Sequence, residues 1–174
     1  LLHRAGNALF LWIFGDNLED EMGHLTFLGF YLITGSAAGL VHVLADPGSA
    51  VPTIGASGAI AGVMGGYLLL YPKARVDILV IFIIFFKVFS VRAWIMLGLW
   101  FALQFYRSVT SDMSTGGIAY WAHTSGFAAG LVLVIPLWLK CGGVRFWSET
   151  DGHPPHPETK YKFSPSRIPK VPRK

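Results

Sequence analysis

The 174-residue chain is unusually apolar, with 53% hydrophobic residues, a mean hydropathy of +0.51 and only 14% charged residues. Soluble domains carry about 25% charged residues, so this composition excludes an ordinary soluble domain and indicates a lipid bilayer as the solvent. The net charge is +4, and eight of the fourteen Lys and Arg residues lie from Lys140 onward, together with six of the ten prolines. This composition predicts a basic, Pro-rich, disordered cytoplasmic tail over residues 141–174 and does not require nucleic acid as a partner.

Apolar segments recur along the chain and predict membrane-spanning helices. A helix needs about 17 to 25 mostly apolar residues to cross a bilayer. The candidate segments are Leu1–Leu18, Leu25–Ala45, Ile54–Tyr71, Ala93–Val109 and Ile118–Leu139. The sequence therefore predicts an all-α, polytopic transmembrane helix bundle over residues 1–140, with the lipid bilayer as its surroundings.

The apolar segment Val76–Phe89 does not fit this pattern. Asp77 and Lys87 interrupt it, and the uncharged run Ile78–Phe86 is too short to span as a helix. We therefore expect an interfacial or re-entrant piece, which leaves five spans. Twelve Lys and Arg residues then fall on one side of the membrane and two on the other. The positive-inside rule assigns the side with twelve to the cytoplasm.

This topology predicts that three polar residues lie near the same membrane face. His3, Ser57 and His123 fall at the outer ends of the first, third and fifth predicted spans. We expect Ser57 and His123 at matched depths, about 5 to 8 Å inside their helices.

Small residues surround both Ser57 and His123. Glycine lets helices approach closely, so meeting faces of the third and fifth spans would bring the imidazole to the hydroxyl. A serine hydroxyl becomes a good nucleophile only when such a base takes its proton. Serine and histidine also occur as plain packing residues between membrane helices, and the two interpretations are about evenly matched on these residues alone. The supporting glycines are Gly55 and Gly58 beside the serine, Gly62 and Gly66 further along its helix, and Gly126 and Gly130 after the histidine.

A third group of residues favours catalysis. His3 and Asn7 are four residues apart and share a helix face. Amide hydrolysis requires hydrogen-bond donors for the developing oxyanion, and the Asn7 amide and the Ser57 backbone N–H could supply them. No acid is evidently placed to orient His123, so the sequence favours a dyad over a triad.

These residues resemble the rhomboid family of intramembrane serine proteases over residues 1–140. The motifs that carry the resemblance are His3-Arg4-Ala5-Gly6-Asn7, the following Phe10–Gly15, Gly55-Ala56-Ser57-Gly58-Ala59, and Ala122-His123 with Gly126 and Gly130. The resemblance implies that Ser57 is the nucleophile, that His123 is the general base, and that His3, Asn7 and the Ser57 amide form the oxyanion site. It also implies transmembrane protein substrates cut near their outer ends, and no metal or cofactor.

The chain departs from the family pattern in two respects. Ala8 stands where the family often has methionine. The resemblance further implies that five of the family's six core helices are present, so the family's first helix and the long loop after it are expected before Leu1.

Other functions remain open from the sequence. A catalytically inactive relative could bind transmembrane helices, although it would not need an intact Ser57 and His123 pair. A transporter is disfavoured because no inverted repeat is visible, and the His-Glu-x-x-His pattern of zinc proteases is missing. With no organelle address visible, we expect a bacterial-type plasma membrane.

Overall fold

The computed structural model describes residues 2–45, 47–48, 56–82, 85–111 and 120–154. In this part of the chain the architecture is a helix bundle with one small hairpin, which confirms the predicted helical class. In chain order the elements are α1 (Leu2–Met22), α2 (His24–Ala45), α3 (Ala56–Leu70), β1 (Arg75–Phe82), β2 (Phe85–Arg92), α4 (Ala93–Thr110), α5 (Tyr120–Leu133), α6 (Ile135–Lys140) and α7 (Val144–Thr150).

Each of the five predicted spans corresponds to a helix or a helix pair. By length and apolarity alone, α2 and the combined stretch Tyr120–Lys140 are long enough to cross a membrane, and α3 is a shorter apolar helix. The stretch Tyr120–Lys140 is interrupted by a turn at Val134, two residues before Pro136. Proline has no N–H to donate to the preceding turn, which accounts for the division into α5 and α6.

Large apolar side chains are exposed on the outer faces of the bundle. Leu25, Trp12 and Leu99 are 87%, 74% and 71% exposed, respectively. Soluble monomers rarely leave such extended apolar surface in water. These faces are suited to contact with lipid acyl chains.

Helix α3 lies at the centre of the bundle. It packs against α1, α2, α4 and α5, and every residue from Gly58 to Tyr67 is buried. Its sequence is mostly glycine, alanine and medium-sized aliphatic residues, which lets several neighbours approach its backbone.

Glycines allow α3 and α5 to meet backbone to backbone. A Cβ atom added to Gly126 would overlap the carbonyl oxygen of Gly58, and one added to Gly130 would overlap that of Gly62. Gly65, which the sequence interpretation did not single out, meets the carbonyl of Phe127 in the same way. The contact face of α3 therefore includes Gly65 besides the predicted Gly58 and Gly62.

Two of the α3 glycines also contact helices other than α5. A Cβ on Gly62 would also lie 2.5 Å from Cβ of Thr34 on α2, and one on Gly66 would lie 3.1 Å from both Leu18 and Phe30. Gly66 thus accommodates α1 and α2. Small residues on several sides of α3, rather than on one stripe, explain its central position.

The segment after α3 forms an antiparallel hairpin. Strands β1 and β2 pair in register from Arg75 opposite Arg92 to Phe82 opposite Phe85. The sequence interpretation considered only interfacial or re-entrant placements and did not predict strands. The alternating β-branched residues Val76 and Ile78 favour extended structure, which accounts for the strand pairing.

The hairpin brings the chain back to the end of α3. The N–H of Ala93 donates to the carbonyl of Ala74 at 2.7 Å, and that of Trp94 donates to Pro72 at 3.0 Å. The end of α3 and the beginning of α4 therefore lie together at one end of the bundle. The segment is a connection and not a sixth crossing, as the topology argument requires.

The segment after Lys140 does not begin as a disordered tail. Helix α7 packs on the end of α3, with Phe146 only 8% exposed and its ring centroid 6.1 Å from that of Tyr71. Trp147 Nε1 donates to the Leu69 carbonyl at 2.8 Å, and Lys73 Nζ lies 2.7 Å from Asp151 Oδ1. The tail prediction is thus wrong for residues 144–150, and residues 155–174 lie outside the described part of the chain.

The close approach of α3 and α5 predicts a specific effect of Gly130→Ala. The added methyl would overlap the Gly62 carbonyl, and overpacking of this kind costs about 1 to 3 kcal/mol of unfolding free energy. Gly98→Ala on α4 is the matched control, because nothing lies within 4 Å of its Cβ position. Thermal unfolding in detergent should show destabilisation by the first substitution only, and equal stability of the two variants would contradict the packing described.

Candidate active site

Ser57 lies at the beginning of α3. It is the second residue of that helix and is half-buried. The first N–H groups of a helix have no acceptor within the helix, which applies to the Ser57 backbone N–H in α3. Gly55, predicted to support the serine, lies outside the described residues.

His123 lies in the first turn of α5, as its fourth residue, and is only 8% exposed. Both predicted catalytic residues therefore occupy first turns. By helical rise this is about 2 to 5 Å from the helix start, less deep than the sequence suggested.

The glycine contact brings the beginnings of α3 and α5 to the same level. A Cβ on Gly58 would lie 3.5 Å from the Ala122 carbonyl oxygen and 2.6 Å from Cβ of Ala38. Ser57 immediately precedes Gly58, and His123 immediately follows Ala122. Neighbouring residues of the proposed dyad are thus in contact across the helix interface. Gly58 and Gly126 lie at this contact, and Gly130 lies lower in the same interface.

The oxyanion candidates lie together on α1. Asn7 Nδ2 is 3.4 Å from His3 Nε2. The two residues are one helical turn apart on the same face of α1. His3 is exposed and Asn7 half-buried. The Tyr71 hydroxyl, just after α3, donates to Glu21 near the end of α1 at 3.2 Å, so the two helices run in the same direction and His3 lies at the same end of the bundle as Ser57. Three helices therefore contribute polar groups to one end of the bundle.

The α4 helix supplies neighbours of His123 that the sequence interpretation missed. Gln104 Oε1 lies 3.3 Å from His123 Nδ1, and the Trp100 ring centroid lies 5.9 Å from that of the imidazole. Gln104 and Trp100 are four residues apart and share a helix face. A polar residue inside an apolar span is a functional candidate by default, so Gln104 could have been identified from sequence.

Two further contacts join α4 to α5 beside His123. The hydroxyl oxygens of Ser108 and Thr124 are 2.9 Å apart and buried. One turn further out, Arg107 Nη1 donates to the Tyr120 hydroxyl at 2.9 Å. These contacts hold the outer half of α4 against α5 and so determine what surrounds the imidazole.

His24 does not take part in this group. Its Nδ1 lies 2.7 Å from Glu19 Oε1, and both residues lie at the junction of α1 and α2, the other end of α1 from His3. The acidic residues near it are likewise remote from Ser57. The structure therefore separates this histidine from the candidate site.

The arrangement contains the groups that general-base chemistry on a hydroxyl uses. It combines a serine at a helix start, a buried imidazole on the adjoining helix, and amide and imidazole donors on a third helix. These are the components that nucleophilic acyl transfer requires.

Comparison with known proteins gives one domain match and several partial relatives. The family model described as the rhomboid domain matches residues 1–140. The chain is 45% identical over 60 residues to rhomboid-like protein 11, chloroplastic, of Arabidopsis thaliana, covering 34% of this chain and 21% of that protein. It is 35% identical over 78 residues to rhomboid protein 1, mitochondrial, of Saccharomyces cerevisiae, covering 42% and 22%.

A third relative is RHOMBOID-like protein 5 of Arabidopsis thaliana, 36% identical over 67 residues, covering 38% of this chain and 22% of that protein. The matched stretches span about a fifth of the length of these curated relatives. No solved structure shows a significant match to the chain.

The juxtaposition of Ser57 and His123 can be tested without any activity measurement. In a Cys141→Ala background, the pair Ser57→Cys and His123→Cys should be joined by a short bis-methanethiosulfonate reagent, because Gly58 and Ala122 are in contact. Mass spectrometry of the digested protein measures the linked peptides. The control pairs Ser57→Cys with Leu139→Cys, near the end of α6. These two cysteines should remain unlinked. If both pairs were linked equally, or if neither pair were linked, the position of Ser57 and His123 at the same level of the bundle would be ruled out.

Proposed function

This chain belongs to the rhomboid family, and we propose that it is an intramembrane serine endopeptidase acting through a Ser57 and His123 dyad. The family is embedded in the membrane, and the chain is accordingly a membrane protein. The observation that carries the proposal is the contact between Gly58 and Ala122. These residues are the chain neighbours of Ser57 and His123, which therefore lie at the same level in the first turns of α3 and α5. The intact set of donors on α1 supports the same function.

The proposed reaction begins at the Ser57 hydroxyl. His123 accepts the hydroxyl proton while Ser57 Oγ attacks the carbonyl carbon of the scissile peptide bond. The resulting oxyanion is stabilised by the Ser57 backbone N–H and by donors from Asn7 and His3. His123 then returns the proton to the leaving amine, and the peptide bond breaks to give an ester on Ser57.

A water molecule completes the cycle. His123 accepts a proton from the water as its oxygen attacks the ester carbonyl, and the same donors stabilise the second oxyanion. Collapse returns the proton to Ser57 Oγ and releases the carboxylic acid product. The residues named supply every proton transfer, so the proposed reaction uses no metal or cofactor.

The proposed substrates are transmembrane proteins cut near the outer ends of their spans. The first turns of α3 and α5 lie at one end of the bundle, where a substrate helix would leave the hydrocarbon core. Hydrolysis needs water and a peptide bond in an extended backbone segment. Both are more accessible near the interface than in the bilayer centre.

Which cellular membrane contains the protein is a separate question from its function. The sequence suggested a bacterial-type plasma membrane, and the relatives give this no support, since two of them are named as chloroplastic and mitochondrial. A membrane location itself follows from the family.

A catalytically inactive family member that binds transmembrane helices is the second candidate. The exposed apolar faces of α2 and α4 would suit helix binding. Labelling with a fluorophosphonate separates the two functions, because only an activated serine reacts readily. Labelling of Ser57 that is lost in His123→Ala supports the protease, and unlabelled protein supports the binding function.

Ser57→Ala should abolish proteolysis, because no other group replaces the nucleophile. The measurement is cleavage of a model single-span substrate by the complete protein in liposomes. Ser36→Ala is the matched control, since Ser36 is an exposed serine on α2 remote in sequence from the site, and it should retain activity. Continued cleavage by Ser57→Ala would refute the assignment of the nucleophile.

Asn7→Ala should have a milder effect than Ser57→Ala. Removal of one oxyanion donor typically lowers kcat by about 100- to 1000-fold. Single-turnover kinetics with the same substrate measures the loss, and Asn7→Asp tests whether a donor and not merely a polar group is needed. Full activity in Asn7→Ala would exclude Asn7 from the oxyanion site.

A further inference from the structure

Gln104 contacts Nδ1 of the His123 imidazole, which leaves Nε2 to accept the Ser57 proton in the proposed reaction. Its Oε1 lies 3.3 Å from Nδ1, and it is half-buried within an apolar stretch of α4. A glutamine inside a membrane helix costs free energy unless its amide is hydrogen-bonded. Its presence opposite a buried imidazole therefore points to a role for this contact.

The chemistry of the two atoms determines the protonation of the imidazole. An amide oxygen accepts hydrogen bonds and cannot donate them, so this contact is a hydrogen bond when His123 Nδ1 carries the proton. The neutral ring then has an unprotonated Nε2, which is the form a general base requires. A hydrogen bond to Nδ1 also restricts rotation of the ring about its bond to Cβ.

We propose that Gln104 is a positioning residue that accepts the His123 Nδ1 proton and so holds the imidazole in the orientation and tautomer needed to deprotonate Ser57. This inference rests on the proposed function. Gln104 takes the position that an aspartate holds in a Ser-His-Asp triad. The sequence interpretation searched this position only for an acid and therefore found a dyad.

A neutral amide suits this position better than a carboxylate. Burial of an unpaired carboxylate within a membrane helix is costly. Among the described residues, Arg107 and Tyr120 lie one turn further out along α4 and α5, and Arg107 donates to the Tyr120 hydroxyl at 2.9 Å. The Nδ1 contact that the structure gives His123 is the one to Gln104.

The surrounding contacts fix Gln104 itself. On one side of it along α4, Trp100 lies beside the same imidazole, with centroids 5.9 Å apart. On the other side, Ser108 Oγ donates to the Gln104 carbonyl at 2.9 Å and contacts Thr124. The amide therefore projects from a part of α4 that is held against α5 both above and below it.

The tautomer can be read directly from the ¹⁵N spectrum of histidine-labelled protein in lipid, with His123 assigned by the signal lost in His123→Ala. The Nδ1–H form should predominate, and Gln104→Leu should give a mixture of both tautomers. An Nε2–H form in the unsubstituted protein, or an unchanged spectrum in Gln104→Leu, would overturn the proposal. This readout does not require protease activity, so it separates failure of the inference from failure of the proposed function.

Kinetics provides the second readout on the complete protein in liposomes. Gln104→Leu should lower kcat by about 10- to 100-fold, by analogy with the loss typical when the partner that orients a metal-bound histidine is removed, with KM unchanged. Gln104→Glu restores an acceptor and should recover part of that loss. Leu103→Ala, at an exposed neighbour on α4, is the control and should retain activity. Equal kcat for Gln104→Leu and Leu103→Ala would exclude a positioning role.

Discussion

The backbone contact between α3 and α5 is the constraint on which the rest of the structure depends. Gly126 and Gly130 face the carbonyls of Gly58 and Gly62 with no room for a methyl group. In a bilayer, helices gain little from burying apolar surface, so close van der Waals packing holds them together. The same contact determines the level at which Ser57 and His123 meet, which links the packing of the bundle to the chemistry at one end.

The sequence predicted the helices and the candidate site more fully than the connections. Long apolar runs identify spanning helices because a bilayer excludes unsatisfied backbone groups, and Ser57 and His123 followed from their motifs and from the side they occupy. The strands of the hairpin were missed because a short apolar segment has no clear period. Helix α7 was missed because a basic, Pro-rich composition over residues 141–174 concealed Phe146 and Trp147, which are the residues that dock.

Gln104 shows a different limit of sequence reasoning. The search beside His123 was for an acid, whereas a buried site in a membrane favours a neutral acceptor. Spacing alone could have placed Gln104 and Trp100 on one face of α4. Spacing could not show which face of α4 meets α5, because that depends on the contact between Ser108 and Thr124 across the interface. Polar side chains on apolar helices therefore need a partner before their role can be inferred.

The docked α7 determines where this chain can be joined to another protein. A reporter fused after Lys140 would replace the residues that cover the Leu69 carbonyl and the Tyr71 ring. A junction after Pro154 would leave α7 and the contact between Lys73 and Asp151 in place. Fusion studies of topology should therefore keep residues 141–154 with the bundle, because the end of α3 is covered by a segment that follows it by more than seventy residues.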